Sequence, residues 1–226
     1  MAIRRLAPWI LFSATLLFAQ SPAVPVTREP SHHLVLDNEY VRVFGVTVAP
    51  HAATVLHQHD LDYVFVTLGD AHISNEKAGA APVDLKLPDG DVRYSPGGFA
   101  HVARNLADTP FHNITIELKN PGKPLCGTPG TDPCGEQEHN VLFETEHVHA
   151  ILTDLAPGAR TSLHTHIPPH LAVALDDLIF ENHVEGKPTR TFSMKKGEWV
   201  WVAEPVTHWF ENAGSARGRI LALEFK

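Results

Sequence analysis

Residues 56–63 read LHQHDLDY and residues 163–170 read LHTHIPPH. Each stretch carries a His-x-His pair, His57 with His59 and His164 with His166, and the two pairs stand 107 positions apart. Histidine is common in this chain, 16 of 226 residues, so one such pair would mean little. The same offset, however, aligns residues 32–118 with 139–225 without a gap. It matches His32 with His139, Pro50 with Pro157, Thr54 with Thr161, Gly90 with Gly197, His101 with His208, Asn105 with Asn212 and Glu117 with Glu224. A fixed period of this kind marks a duplicated unit. The sequence therefore predicts two similar domains, residues 32–119 and 139–226, joined by a Gly- and Pro-rich linker over 120–138.

Within each unit, short runs rich in Val, Ile, Leu, Thr and aromatic residues alternate with Gly, Pro, Asn and Asp. YVRVFGVTVAP, YVFVTLGD and HNITIELK of the first unit recur as HVHAILTDLAP, LAVALDD and GRILALEF of the second. No segment after the first 19 residues shows a long amphipathic-helix period. The fold class is all-β. Histidines two apart on a strand face the same way, so each His-x-His pair presents two imidazoles to one side. A third histidine follows the first by 44 residues in both units, His101 and His208. Neutral imidazoles in such a set suit Mn, Fe, Cu, Ni or Zn and leave positions open for small molecules.

GDVRYSPGGFAHVARN, residues 90–105, fits G-x5-P-x-G-x2-H-x3-N, and GARTSLHTH, residues 158–166, fits G-x5-H-x-H. These resemble the two motifs of the cupin superfamily, and the duplication makes the chain resemble a bicupin over residues 32–226. The resemblance implies two tandem cupin β-barrels of the double-stranded β-helix, jelly-roll type, each gathering its histidines on a divalent transition metal. Such proteins commonly dimerise. Many carry Glu three or four residues beyond the His-x-His pair, where this chain has Tyr63 and His170. The second unit, with His164, His166, His170 and His208, resembles four-histidine metal cupins. The first, with His57, His59 and His101, resembles three-histidine cupin dioxygenases.

Asp62, one residue from Tyr63, is expected to point the other way and not to ligate. The motif glycine Gly158 is replaced in the first unit by His51, and Pro96 and Gly98 are replaced in the second by Ala203 and Pro205, which predicts a different loop path before His208. Without a carboxylate ligand, the charge of the metal is uncompensated by the protein, which favours a small anionic substrate. His170 in the second unit and Tyr63 or Asp62 in the first are the visible candidates for proton transfer. The resemblance thus implies a small-molecule oxidoreductase of dioxygenase type. A non-redox isomerase or lyase and a non-catalytic ligand- or metal-binding protein remain alternatives.

Ala172 and Ala174 predict a roomy second pocket, with Trp199, Trp201 and Trp209 as apolar walls. His147 and His149 are expected to be ordinary strand residues, and His32 and His33, among others, to face solvent. Asn105 and Asn212 are expected to bond backbone. Spacing does not separate a supporting role behind the ligands from an exposed one for Glu117 and Glu224.

The first 19 residues begin with Arg4 and Arg5 and continue into an apolar run, Leu6 to Phe18, too short to span a bilayer. They read as a secretory signal peptide, so the mature chain is expected in the periplasm or outside the cell, free of the membrane. Its removal takes the formal charge from −8 to −10. No basic cluster remains, which excludes nucleic acid as a partner. Cys126 and Cys134 in CGTPGTDPC are expected to form a disulfide that stiffens the linker.

Overall fold

The computed structural model describes residues 22–119 and 140–226. The expected signal peptide, linker and Cys126–Cys134 disulfide lie outside the described residues. Among those described there is no α-helix, only one 3-10 turn at Val26–Arg28.

The first half contributes β1 (Val24–Pro25), β2 (His32–Asp37), β3 (Val41–Val48), β4 (His57–His59), β5 (Tyr63–Thr67), β6 (Ala71–Lys77), β7 (Val83–Leu87), β8 (Val92–Ser95), β9 (Phe99–Asn105) and β10 (Phe111–Leu118). The second contributes β11 (Asn140–Glu144), β12 (Val148–Leu155), β13 (His164–His166), β14 (His170–Ala174), β15 (Leu178–Val184), β16 (Arg190–Met194), β17 (Trp199–Val202), β18 (Val206–Asn212) and β19 (Gly218–Phe225). From β3 to β10 every strand reappears 107 residues later with the same bounds. The period seen in the sequence is a period of strands.

Each half is a pair of facing sheets. In the first the orders are β1-β4-β9-β6-β7 and β2-β3-β10-β5-β8; in the second they are β13-β18-β15-β16 and β11-β12-β19-β14-β17. All pairings are antiparallel except β1 with β4, where Val24 aligns with His57. This strand and the turn after it precede the repeated unit and close the first barrel at one edge.

The long central strands are apolar on both faces because they serve two cores. Phe44, Val46 and Val48 point into the first barrel with Ile73, Leu87 and Phe111. Val41, Val43, Val64, Ile114 and Ile116 point the other way, against Val148, Leu171, Val173, Leu221 and Leu223 of the second half. The two halves thus share one core, sheet against sheet. Polar contacts bracket it: Lys196 Nζ lies 2.5 Å from Asp89 Oδ1, and Arg219 Nη2 lies 2.8 Å from Asp176 Oδ1 and 3.4 Å from Asp89 Oδ2.

Two mismatches between the motifs resolve locally. His51 adopts the left-handed φ of 57°, as Gly158 does at 72°, so the turn is kept. Histidine is one of the side chains that tolerate this region. Before β9, Gly98 N donates to His59 O at 2.7 Å, and a Cβ on Gly97 would sit 2.4 Å from Leu61 backbone. Pro205 has no N–H to repeat that bond and Glu204 replaces Gly97, so the second loop takes its own path before the register resumes at Val206.

Candidate metal centres

The candidate ligand histidines are set by strand pairing. On β4 and β9, His57 aligns with His101; on β13 and β18, His164 aligns with His208. His59 and His166 lie two residues further on the same faces. Ring centroids are 4.4 Å apart for His57–His101 and 5.1 Å for His57–His59, against 4.6 Å for His164–His208 and 4.9 Å for His164–His166. The two clusters are near copies.

Two rings of each triad are oriented by a hydrogen bond at Nδ1, which leaves Nε2 as the nitrogen available inside the barrel. His57 Nδ1 meets Val55 O at 2.9 Å and His164 Nδ1 meets Ser162 O at 2.9 Å. His101 Nδ1 meets Asn75 Oδ1 at 2.7 Å, and His208 Nδ1 meets Asn182 Oδ1 at 2.8 Å. Partners of this kind fix tautomer and orientation in metal-binding histidines. Asn75 and Asn182 were missed in the sequence although they obey the offset of 107.

Behind the third ring of each set stands a buried carboxylate, which settles the role of Glu117 and Glu224. Glu224 accepts from His166 Nδ1 at 2.5 Å and from His149 Nδ1 at 3.1 Å. Glu117, 1 % exposed, lies 3.5 Å from His59 Nδ1 and 3.1 Å from Arg42 Nη1. His149 is therefore not an ordinary strand residue but the counterpart of Arg42, the second donor on the carboxylate. Burial would raise the Glu224 carboxyl, but the hydrogen bonds from His149 and His166 outweigh it and hold the group down at about 2.

Burial disfavours the protonated form of His57 and His101. It pushes His57 down to about 4 and His101 to about 2, each further lowered by the neighbouring histidines. His57 Nε2 and His101 Nε2 are buried with no hydrogen-bond partner. Orphaned, neutral nitrogens converging on one point are the donor set a divalent transition metal requires. In the second barrel one ring nitrogen from each of His164, His166 and His208 lies within 4.8 Å of the others.

His170 begins β14, where it aligns with Glu224 and Val202. Its ring lies 4.4 Å from that of His166, and burial lowers it to about 4. It stands beside the close triad. In the equivalent place Tyr63 stacks on His59 at 4.2 Å, and burial raises its hydroxyl. Asp62 faces away, taking hydrogen bonds from Tyr94 Oη and Gly97 N.

In the first barrel one residue departs from expectation. His32 is not solvent-facing: its side chain is 6 % exposed, its Nδ1 is 2.7 Å from Glu29 Oε2, and its ring is 4.8 Å from that of His57. A ring nitrogen of His32 lies within 4.8 Å of those of His57 and His59.

The barrels differ most in the space above the histidines. The first holds a cavity of about 160 Å³ and the second one of about 620 Å³, lined by Phe180, Phe192, Trp199, Val202 and Ile220 around the histidines. Phe65 on β5 lines the small cavity, and its counterpart Ala172 on β14 lines the large one. Ala172 was correctly read as making room, but Ala174 is buried away from the pocket. Of the three tryptophans only Trp199 lines it. Trp201 stacks on Phe225 at 5.5 Å, and Trp209 lies on His183 at 3.6 Å. Asn105 and Asn212 bind backbone carbonyls, as expected.

No family model matches the sequence, and no curated protein does. Solved structures match over most of the chain. AerE from Microcystis aeruginosa superposes with a TM-score of 0.59 at 12 % identity, covering 88 % of this chain and 98 % of its own. An oxalate decarboxylase variant from Bacillus subtilis gives 0.57 at 14 % identity, over 83 % and 69 %. A cupin 2 conserved barrel domain protein from Leptotrichia buccalis gives 0.56 at 13 %, over 86 % and 88 %. At these identities the likeness is one of fold. The chain has the duplicated cupin fold, a bicupin in architecture, with a histidine cluster able to hold a metal in each barrel.

Proposed function

We propose that the protein is a metal-dependent enzyme acting on a small anionic molecule, with the second barrel as its reaction chamber and dioxygenase-type oxidation as its reaction class. The observation that carries this is the 620 Å³ cavity ending on His164, His166, His170 and His208, where the sister barrel has 160 Å³ over a similar cluster. A divalent transition metal held by His164, His166 and His208 would supply Lewis acidity and, if iron, manganese or copper, redox chemistry toward dioxygen. The structural neighbour oxalate decarboxylase is described with Mn(II) centres, which supports manganese as a first metal to try.

The ligand triad brings no negative charge of its own, so a carboxylate or enolate head is favoured at its open side. Phe180, Trp199 and Ile220 exclude water and contact the apolar remainder of the substrate. His170, which burial disfavours as the cation and which lines the cavity, accepts a proton from an acidic O–H or C–H of the bound molecule. That same base favours a second reading, a non-redox isomerase or lyase proceeding through an enolate.

The test is metal analysis and oxygen uptake on protein expressed with added manganese or iron, using small carboxylates, thiols and 1,3-diketones as substrates. Oxygen consumption that disappears in His164→Ala supports the dioxygenase reading. Turnover of a ketoacid without oxygen selects the second reading, and absence of bound transition metal overturns both. We also assign the mature chain to the periplasm or exterior, on its basic start and short apolar run; fractionation of cells making the full-length chain tests this.

A further inference from the structure

We propose that the first barrel carries a closed, structural metal site completed by His32, a residue outside the duplicated histidine motifs, and that this site fastens the N-terminal segment to the barrel. The inference concerns the first barrel and stands independently of catalysis in the second.

The fourth position of the first cluster is held by Tyr63, a phenol that burial keeps protonated and that stacks flat on His59. From the opposite side His32 brings an imidazole to 4.8 Å from His57 and 5.9 Å from His59. Its ring is oriented as those of His57 and His101 are, through Nδ1. The partner is Glu29, 2 % exposed, which also takes backbone N–H bonds from Ser31 at 2.7 Å and Val55 at 3.2 Å. A buried carboxylate with this many donors is held rigidly, and it leaves His32 Nε2 for the interior.

His57 Nε2 and His101 Nε2 are buried and without partners, so the protein bears the cost of their desolvation unless a cation joins them. His32, His57 and His59 each bring a ring nitrogen within 4.8 Å of the others, the His101 ring lies 4.4 Å from that of His57, and the cavity of about 160 Å³ leaves little room for substrate beside a metal held there. Structural metal sites are closed and catalytic ones keep an open position. By that criterion the first barrel is structural. Because β1 pairs with β4 at His57 and Val26 is buried in the first barrel core, a metal on His32 and His57 would tie both ends of residues 24–32.

The probe is zinc alone, titrated against a chromophoric chelator in a His164→Ala background that silences the second site. We expect one tight zinc per chain there, and an affinity lower by about tenfold or more when His32→Gln is added. His32→Gln retains a side chain able to hydrogen-bond Glu29, and an unchanged melting temperature without metal would verify its fold. Hydrogen exchange on the unmutated chain gives a readout free of any variant: zinc should slow exchange across residues 29–37. Equal zinc affinity with and without His32→Gln overturns the ligand assignment, and unaltered exchange in that segment on zinc binding overturns the fastening.

Discussion

Replacing Glu224 by Gln tests whether the carboxylate behind His166 serves the metal centre. The wild-type group accepts two hydrogen bonds, from His166 at 2.5 Å and His149 at 3.1 Å, and its charge faces both rings. The amide has nearly the same shape but one acceptor oxygen and no charge. Exchanging a charge-assisted bond for a neutral one costs about 1 kcal/mol. Outer partners of metal-binding histidines are worth about 10- to 100-fold in metal affinity, which sets the upper end at roughly 3 kcal/mol. Glu224→Gln should therefore weaken metal binding roughly 5- to 100-fold, read by competition with a chelator of known affinity. Glu117→Gln should do less, because Glu117 stands 3.5 Å from His59. A folded Glu224→Gln protein that binds metal within about twofold of wild type would refute the positioning argument.

Ala172→Phe restores the side chain that the first barrel carries at Phe65 and should abolish binding of substrate-sized ligands while metal content stays unchanged; calorimetry and metal analysis check the two halves of this statement. Gly97→Ala places a methyl 2.4 Å from the Leu61 backbone and should cost about 1–3 kcal/mol in denaturant unfolding. Burial would raise the Asp89 carboxyl, but Lys196, Gly69 N and Arg219 together hold it below its ordinary value. Because the folded-state value is depressed, the stabilisation is present above the unfolded carboxylate range and is lost as pH falls through the folded value. Asp89→Asn should flatten the loss of thermal stability below about pH 4 and lower the melting temperature at pH 7.

The duplication, the all-β class and the triads were legible because strand pairing preserves a sequence period: His57 and His59 face one way by alternation, and His101 follows at the same distance in both units. What lies behind the rings was less so. Asn75 and Asn182 are conspicuous only once β6 is known to pair with β9, and β15 with β18, even though the offset marks them. His149 was discounted because its role depends on Glu224, 75 residues away in sequence and directly across from it in register. His32 was invisible for a stronger reason. It belongs to neither motif, and only the packing of β2 beside the turn at Glu29 brings it to His57. The size difference between the cavities was partly written in Ala172, but the tryptophans were not, because alternation does not say which face of β17 or β18 meets the pocket.

The shared core has a further property when its members are taken pairwise. Val41 and Val148, Val64 and Leu171, Ile114 and Leu221, and Ile116 and Leu223 are each one residue in two copies, so the contact has the isologous form of a two-fold dimer sealed into one chain. On such an axis a residue meets its own copy. Asp89 and Lys196 are those copies, and they bond to each other. Two identical subunits would set carboxylate against carboxylate, or ammonium against ammonium, at this point. Fusion allowed one copy to change sign. It also released the two barrels from having to share one interior, so that one could stay narrow while the other opened.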